Sequence, residues 1–231
     1  MTDPRLAAAL FDLDGLAVDS EPMHVEAWRR AMEEAGAGWD PAWIDPYFGT
    51  PVSNTAAALA RDHGLREEDV QALRDRHFDE LMAGGIDPRP GLVEAVRMLR
   101  KGRVRVGVVT SGTRTYVERA LHGLQGVRFD ALVTREDVQH AKPHPEPYLR
   151  GAQLLRVEPW RCVALEDAPT GIESAANAGM LTVAVPNEHT AGMDFSRADV
   201  LVSDLVEAAR WILSRGEDPE GEEPADSAEP E

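Results

Sequence analysis

A chain of 231 residues is long enough to bury a substantial core, in one domain or two. Its formal net charge is −17, but residues 216–231 hold eight acids and no base, so the remainder carries −9. That balance excludes broad nucleic-acid binding, which needs clustered Lys and Arg against phosphates. A small phosphorylated substrate stays compatible, because a metal and a few local cations can reverse the field inside a cleft.

Cys162 is the sole cysteine, so no intrachain disulfide forms, and its apolar run CVAL makes it a small core residue rather than a nucleophile. No signal peptide is expected at the N-terminus, and no apolar stretch approaches the length of a bilayer span. The expectation is a soluble, cytoplasmic monomer with no membrane partner.

The first predicted element is the apolar run that ends at Phe11, followed by Asp12, Asp14 and Gly15. In an extended strand the side-chain period is two, so both carboxylates should leave one face. Like charges that close repel, so a cation between them or a shared proton is expected, and an oxygen-rich pair suits Mg²⁺. An Asp-Gly turn is the plainer reading of this stretch alone.

From Val18 to Ile86 the pattern turns helical. Ser20 is placed to cap a helix carrying Glu21 and Pro22 in its first turn, with Met23, Ala27, Trp28, Ala31 and Met32 at helical spacing. Ala56–His63 and Glu68–Met82 continue as helices, with breaks at Gly36–Gly38 and Pro41–Pro51. This reads as a small helical bundle inserted after the first strand.

From Asp87 strands and helices alternate. Helices are expected from Pro90 to Leu99, over Thr113–Leu124, Pro145–Leu155 and Gly171–Ala178, and over Leu205–Leu213. Strands are expected at Val104–Thr110, Phe129–Val133, Arg161–Leu165, Leu181–Val185 and Val200–Leu201. The near-continuous apolar run VRVGVVT suits a parallel strand covered on both faces. The fold expected is a Rossmann-like three-layer α/β core with a parallel sheet, formed by residues 1–17 and 87–215. A helical cap of residues 18–86 is inserted into it, and 216–231 form a disordered acidic tail.

Ligands of such sheets bind beyond the carboxyl ends of the strands, where three further motifs fall. Thr110-Ser111-Gly112 offers a hydroxyl and backbone N–H groups before a helix, a phosphate-binding arrangement, although plain helix capping would use the same residues. Lys142, in AKPHPEPY, is held extended by Pro143 and presented by a loop. Lysine occurs only at positions 101 and 142, which favours a positive charge placed for a purpose. His140 and His144 flank it and read as loop residues. Glu166-Asp167 follows CVAL directly, and two acids at the mouth of a buried strand are costly without a cation or donors. Capping of the helix at Gly171 falls instead to Thr170.

The stretches FDLDGLAVDSEPMH (11–24), VVTSG (108–112), AKPHPEPY (141–148) and LEDAPTGIESAANAGM (165–180) together resemble the haloacid dehalogenase superfamily. The similarity is to members with a helical cap, in the branch of β-phosphoglucomutases and small-molecule phosphatases. It implies that Asp12 is the nucleophile of an aspartyl-phosphate and Asp14 the general acid and base. Thr110 and Lys142 would hold the phosphoryl group, with Ser111 and Gly112 beside it. Mg²⁺ would be bound by Asp12, the main-chain carbonyl of Asp14 and Asp167, with Glu166 assisting. His24 matches a hinge histidine that would reach Asp14. An acid at position 14 favours phosphate esters over haloacids or phosphonates.

Two departures bear on substrate. Ala168 stands where many relatives carry Ser, in the form EDAPTG that resembles sugar- and polyol-phosphate phosphatases. The stretch PYFGTPVSNT has Gly49 but not the neighbouring arginine that mutases use to grip a second phosphate. The expected activity is therefore Mg²⁺-dependent hydrolysis of a small phosphorylated metabolite: a sugar, polyol or glycolate ester. A β-phosphoglucomutase-type phosphomutase is the alternative. A noncatalytic receiver-like phospho-signalling domain fits less well, because it calls for adjacent acids on the first strand and a shorter chain.

Overall fold

Alternation within the buried strands sets the layers. In the first strand, β1 (Ala8–Phe11), all four residues are buried, yet Ala9 and Phe11 join one hydrophobic cluster while Ala8 and Leu10 join another. The same split recurs in β2 (Arg105–Val109), where Val106 and Val108 face the first cluster and Val109 the second. In β4 (Cys162–Glu166) Val163 and Leu165 face one way, Cys162 and Ala164 the other. A strand apolar on both faces needs helices on both sides, which is the condition of a parallel sheet. Cys162 lies in the core as expected, and burial pushes its thiol up to about 12.

The computed structural model describes residues 6–47, 52–122, 124 and 126–215. The acidic tail expected at 216–231 and Gly49 lie outside them. Among the described residues β3 (Ala131–Val133), β5 (Leu181–Ala184) and β6 (Val200–Leu201) complete a sheet of order β3-β2-β1-β4-β5-β6, with every neighbouring pair parallel. This is the doubly wound order, and the strand sequence reverses between β1 and β4, where such sheets open a ligand crevice. Leu10 packs against two glycines: a Cβ on Gly107 would stand 2.9 Å from its Cδ2, and one on Gly151 3.0 Å from its Cδ1. Gly151 thereby lets the helix Glu146–Leu155 lie close on the sheet.

Between β1 and β2 the chain forms α1 (Glu21–Glu34), α2 (Val52–His63), α3 (Glu67–Met82) and α4 (Leu92–Lys101). The first three are the expected helical insertion, with short 3₁₀ turns at Pro41–Trp43 and Asp45–Tyr47 in the proline-rich break. They enclose a cluster of their own: Trp28, Met32, Ile44, Ala56, Leu59, Ala60 and Val70. The C-terminal end of α3 joins the main core instead, through Phe78 and Met82. The remaining helices are α5 (Arg114–His122), α6 (Glu146–Leu155), α7 (Pro169–Asn177) and α8 (Leu205–Ser214). None of the described helices is long and apolar enough to cross a membrane.

Element ends lie within two residues of the expectation except the start of α2, at Val52 rather than Ala56, and two caps differ in kind. Ser20 occupies the N-cap position of α1 but makes no capping bond, since its hydroxyl donates to Asp14 at 2.7 Å. Helix α7 begins at Pro169, so Thr170 sits inside its first turn and Ala168 holds the cap position without a side-chain bond. Proline at a first helical position supplies the φ that the helix needs, which moves the start forward.

His24 of α1 is enclosed by α3. Its ring stacks on Phe78 at 4.5 Å, and its Nδ1 meets the guanidinium of Arg74, itself buried and lying 4.3 Å over the same Phe78 ring. Burial first, then Arg74, pulls the imidazole down to about 3 from its ordinary 6.5. The unfolded chain therefore takes up a proton below pH 6.5 that the folded chain refuses until about pH 3. This histidine's share of stability falls as pH drops through that window, by at most about 1.4 kcal/mol per pH unit. Urea unfolding of wild type and His24→Gln between pH 7 and 4 should show a shallower acid loss in the variant; parallel slopes would contradict the assignment.

Candidate active site

The carboxyl edge of the sheet gathers the expected groups around one ammonium. The Asp12 N–H donates to the Leu165 carbonyl at 3.0 Å, continuing the β1–β4 ladder and setting Asp12 beside Glu166 across the switch point. Lys142 comes from the turn before α6, nine residues beyond β3 rather than at its end. Its Nζ donates to Asp12 Oδ1 at 2.6 Å, to Glu166 Oε1 at 2.6 Å and to the Val109 carbonyl at 3.0 Å. Three acceptors fill the three donors of a lysine ammonium. Burial disfavours its charge, but Asp12 and Glu166 outweigh that and raise its pKa above the ordinary lysine value.

Glu166 is only 2% exposed and also accepts a hydrogen bond from the Tyr148 hydroxyl. Burial raises its pKa, with Lys142 pulling the other way. Asp167 is held well above the carboxylate range by burial and by the negative charges of Asp12 and Glu166. Ligand atoms of Asp12, Glu166 and Asp167 lie within 4.8 Å of one another.

The residues fit a divalent cation of the hard kind. The donors are all carboxylate oxygens, as Mg²⁺ prefers. Three buried acids facing one ammonium leave two negative charges uncompensated when all are ionised, the charge that Mg²⁺ would balance. Asp167 is oriented by Asn187, whose Nδ2 donates to it at 2.8 Å and to the Gly15 carbonyl at 3.3 Å. The Asn187 Oδ1 accepts the N–H groups of His189 and Thr190, which settles which way its amide points. Gly15 has φ +77°, and a Cβ there would overlap the Asp167 carboxylate, so glycine is required for both backbone and space.

Asp14 stands apart from that cluster. Strand geometry stops at Phe11, so the period-two argument fails, and the Asp14 carboxylate turns to the hydroxyls of Ser20 and Tyr116. Burial, then the charge of Asp12, raises it to about 6, opposed by the two hydroxyls and by Lys142. The Asp14 side chain is not one of the grouped carboxylates, which are those of Asp12, Glu166 and Asp167; the metal contact expected of Asp14 was its main-chain carbonyl. His24 is not the partner expected for Asp14; among the described residues its polar contact is Arg74.

Thr110 is buried at the end of β2, and its Oγ1 accepts the Gly112 N–H at 2.9 Å, so that N–H is not free for a ligand. Ser111 is exposed. Gly112 serves another purpose: a Cβ there would stand 2.7 Å from Tyr116 Cδ1, so its absence lets the tyrosine ring reach Asp14.

Sequence reasoning missed Tyr116, Tyr148 and Asn187. Tyr148 lies in the quoted stretch AKPHPEPY, and Asn187 comes three residues after the end of β5, just beyond Pro186, so both carried a signal of position. Tyr116 carried none beyond its helical place six residues after Thr110.

Residues 9–185 match the haloacid dehalogenase-like hydrolase family. The validoxylamine A 7'-phosphate phosphatase of Streptomyces hygroscopicus subsp. limoneus is 36% identical over 215 residues, covering 88% of this chain and 95% of that protein. The fructose-1-phosphate phosphatase YqaB of Escherichia coli K12 is 35% identical over 190 residues, covering 78% of this chain and 97% of its own length. A solved HAD family hydrolase from Deinococcus radiodurans R1, with bound phosphate and sodium, superimposes with a TM-score of 0.77 at 26% identity, over 93% of this chain and 97% of that one. Fold, strand-end chemistry and this end-to-end similarity converge: the chain belongs to the haloacid dehalogenase-like hydrolase family.

Proposed function

We propose that the chain is a Mg²⁺-dependent phosphatase of a small phosphorylated metabolite, a sugar or polyol phosphate in the first instance, working through an aspartyl-phosphate on Asp12. The observation that carries this reading is the single Lys142 ammonium at 2.6 Å from both Asp12 and Glu166, with Asp167 alongside. The relatives named as phosphatases of phosphorylated carbohydrates support the substrate class.

Asp12 attacks phosphorus as its ester oxygen leaves, and Asp14 gives that oxygen its proton. Asp14, now a carboxylate, then takes a proton from water; the hydroxide attacks phosphorus, frees inorganic phosphate and restores Asp12. Splitting hydrolysis this way makes two easier steps of one. Asp14 suits an acid that becomes a base because its raised pKa, about 6, keeps both forms within reach of neutral pH. Lys142 holds Asp12 in place and sets its positive charge beside the phosphoryl oxygens, to which the Thr110 hydroxyl can donate. Asp12, Asp167 and the Asp14 carbonyl would hold Mg²⁺, with Glu166 assisting; the ion supplies charge neutralisation at the equatorial oxygens.

The insertion of residues 18–86 serves as a cap over this edge. It reaches the site through a chain of contacts: Phe78 of α3 lies 5.8 Å from the Tyr116 ring, and Tyr116 bonds Asp14. A mutase would need a further cation to grip a second phosphate. Arg74 is the buried cation among the described residues of this insertion, and it is engaged with His24, Asp75 and Phe78. Its Nε is buried without a hydrogen-bond partner, and it is the relatives named as phosphatases that favour hydrolysis.

Replacing Asp12→Asn should bring para-nitrophenyl phosphate hydrolysis to background, and Asp14→Asn should lower it by roughly 10²–10⁴-fold, the usual worth of general acid–base catalysis. Retained hydrolysis in Asp12→Asn would sink the proposal. With β-glucose 1-phosphate and a trace of bisphosphate, free phosphate should appear before any glucose 6-phosphate; the reverse order identifies a mutase.

Chelation by EDTA should abolish the same hydrolysis and Mg²⁺ restore it. Added Mg²⁺ should also raise the thermal midpoint, by the equivalent of about 2.7 kcal/mol at one hundred times its Kd. Full activity in metal-free protein would refute the metal's role.

A further inference from the structure

The turn that carries Lys142 inward carries a different set of groups on its other side. His140 and His144 flank Lys142, and α6 opens two residues later with Glu146. Each of the three offers one ligand atom, and these atoms lie within 4.8 Å of one another. The imidazole rings are 4.4 Å apart between centroids. Both histidines are exposed and Glu146 half-buried, so an ion can reach them from solvent.

Glu146 is fixed before any ion arrives. Its Oε1 accepts the Gln139 N–H and its Oε2 the His140 N–H, each at 2.9 Å. These backbone bonds, with the His140 ring, hold its carboxyl down at about 2. His140 Nδ1 also meets Oε2 at 2.9 Å, with a proton shared between them. Ligands at 2.0–2.2 Å around a tetrahedral centre stand about 3.3–3.6 Å apart, so a metal can replace that proton with an opening of the pair by about half an ångström. His144 Nδ1 accepts the Glu146 N–H at 3.2 Å, a long bond that a metal displaces at little cost.

We propose that His140, His144 and Glu146 form a second metal site that takes a borderline divalent cation such as Zn²⁺, separate from the acidic cluster at the sheet edge. Ligand chemistry divides the two sites. Imidazole with one carboxylate suits Zn²⁺, Ni²⁺ and Cu²⁺, whereas the all-oxygen set of Asp12, Glu166 and Asp167 suits Mg²⁺. Imidazole must be neutral to ligate, so occupancy should fall on acidification. Two of the ligands bracket Lys142 in the chain, so an ion here clasps the turn that positions it.

Equilibrium dialysis of the full chain against Zn²⁺, in excess Mg²⁺ to fill the acidic cluster, tests the site. Wild type and Asp12→Asn should each retain one equivalent with the same affinity. His140→Ala and His144→Ala should each bind at least about tenfold more weakly, since even removing an outer partner of a metal ligand costs roughly 10–100-fold. Thermal midpoints are measured beside the binding, and both residues being exposed, both variants should melt with wild type. Zn²⁺ retention unchanged in both histidine variants, loss of it in Asp12→Asn alone, or no retention by wild type would each overturn the proposal.

Discussion

Everything at the sheet edge depends on one buried ammonium among carboxylates. Asp12, Glu166 and Asp167 are each less than a tenth exposed, and Lys142 touches the first two at 2.6 Å. Removing one partner of a buried ion pair typically costs 3–5 kcal/mol, because the survivor keeps its charge without its solvation. Such a cluster is a poor device for stability. Under the proposed function its value lies in what it stores: acids kept close, partly uncompensated and poised for a cation and a phosphoryl group.

The fold makes that cluster affordable by where it ends its strands. β1 and β4 are wholly buried and adjacent, with Phe11 paired to Leu165, so the residues that follow emerge side by side at the point where strand order reverses. Glycines then clear the space. Gly15 makes room for Asp167, Gly112 for Tyr116, and a Cβ on Gly171 would overlap the Glu166 carboxylate. These three polar groups are thus admitted by the absence of a side chain opposite them.

Asp12 and Asp14, two residues apart, acquire different chemistry from different neighbours. Asp12 faces an ammonium; Asp14 faces two hydroxyls and the charge of Asp12. Tyr116 links that second environment to the inserted helices, through Phe78 and the His24–Arg74 contact beyond it. Asp14, to which the proposed function gives the proton, is thus tied to the inserted helices by these contacts.

Much of this was legible in the residues alone. The apolar runs of β1, β2 and β4 announced a parallel sheet because strands buried on both faces cannot alternate, and Asp12, Thr110 and the pair Glu166-Asp167 each directly follow such a run. Family resemblance rested on the same stretches. Local pattern could not reveal what two distant segments do together. Ser20 looked like a cap because caps are local, but its hydroxyl was drawn to Asp14 by the fold of the intervening loop. His24 was assigned to Asp14 and lies on Arg74, 50 residues away in sequence. Tyr116, Asn187 and the meeting of Glu146 with two loop histidines likewise needed tertiary structure. Strand burial and turn chemistry are written in neighbouring residues, whereas the charge a carboxylate feels is set by whichever segments the folded chain brings within a few ångströms of it.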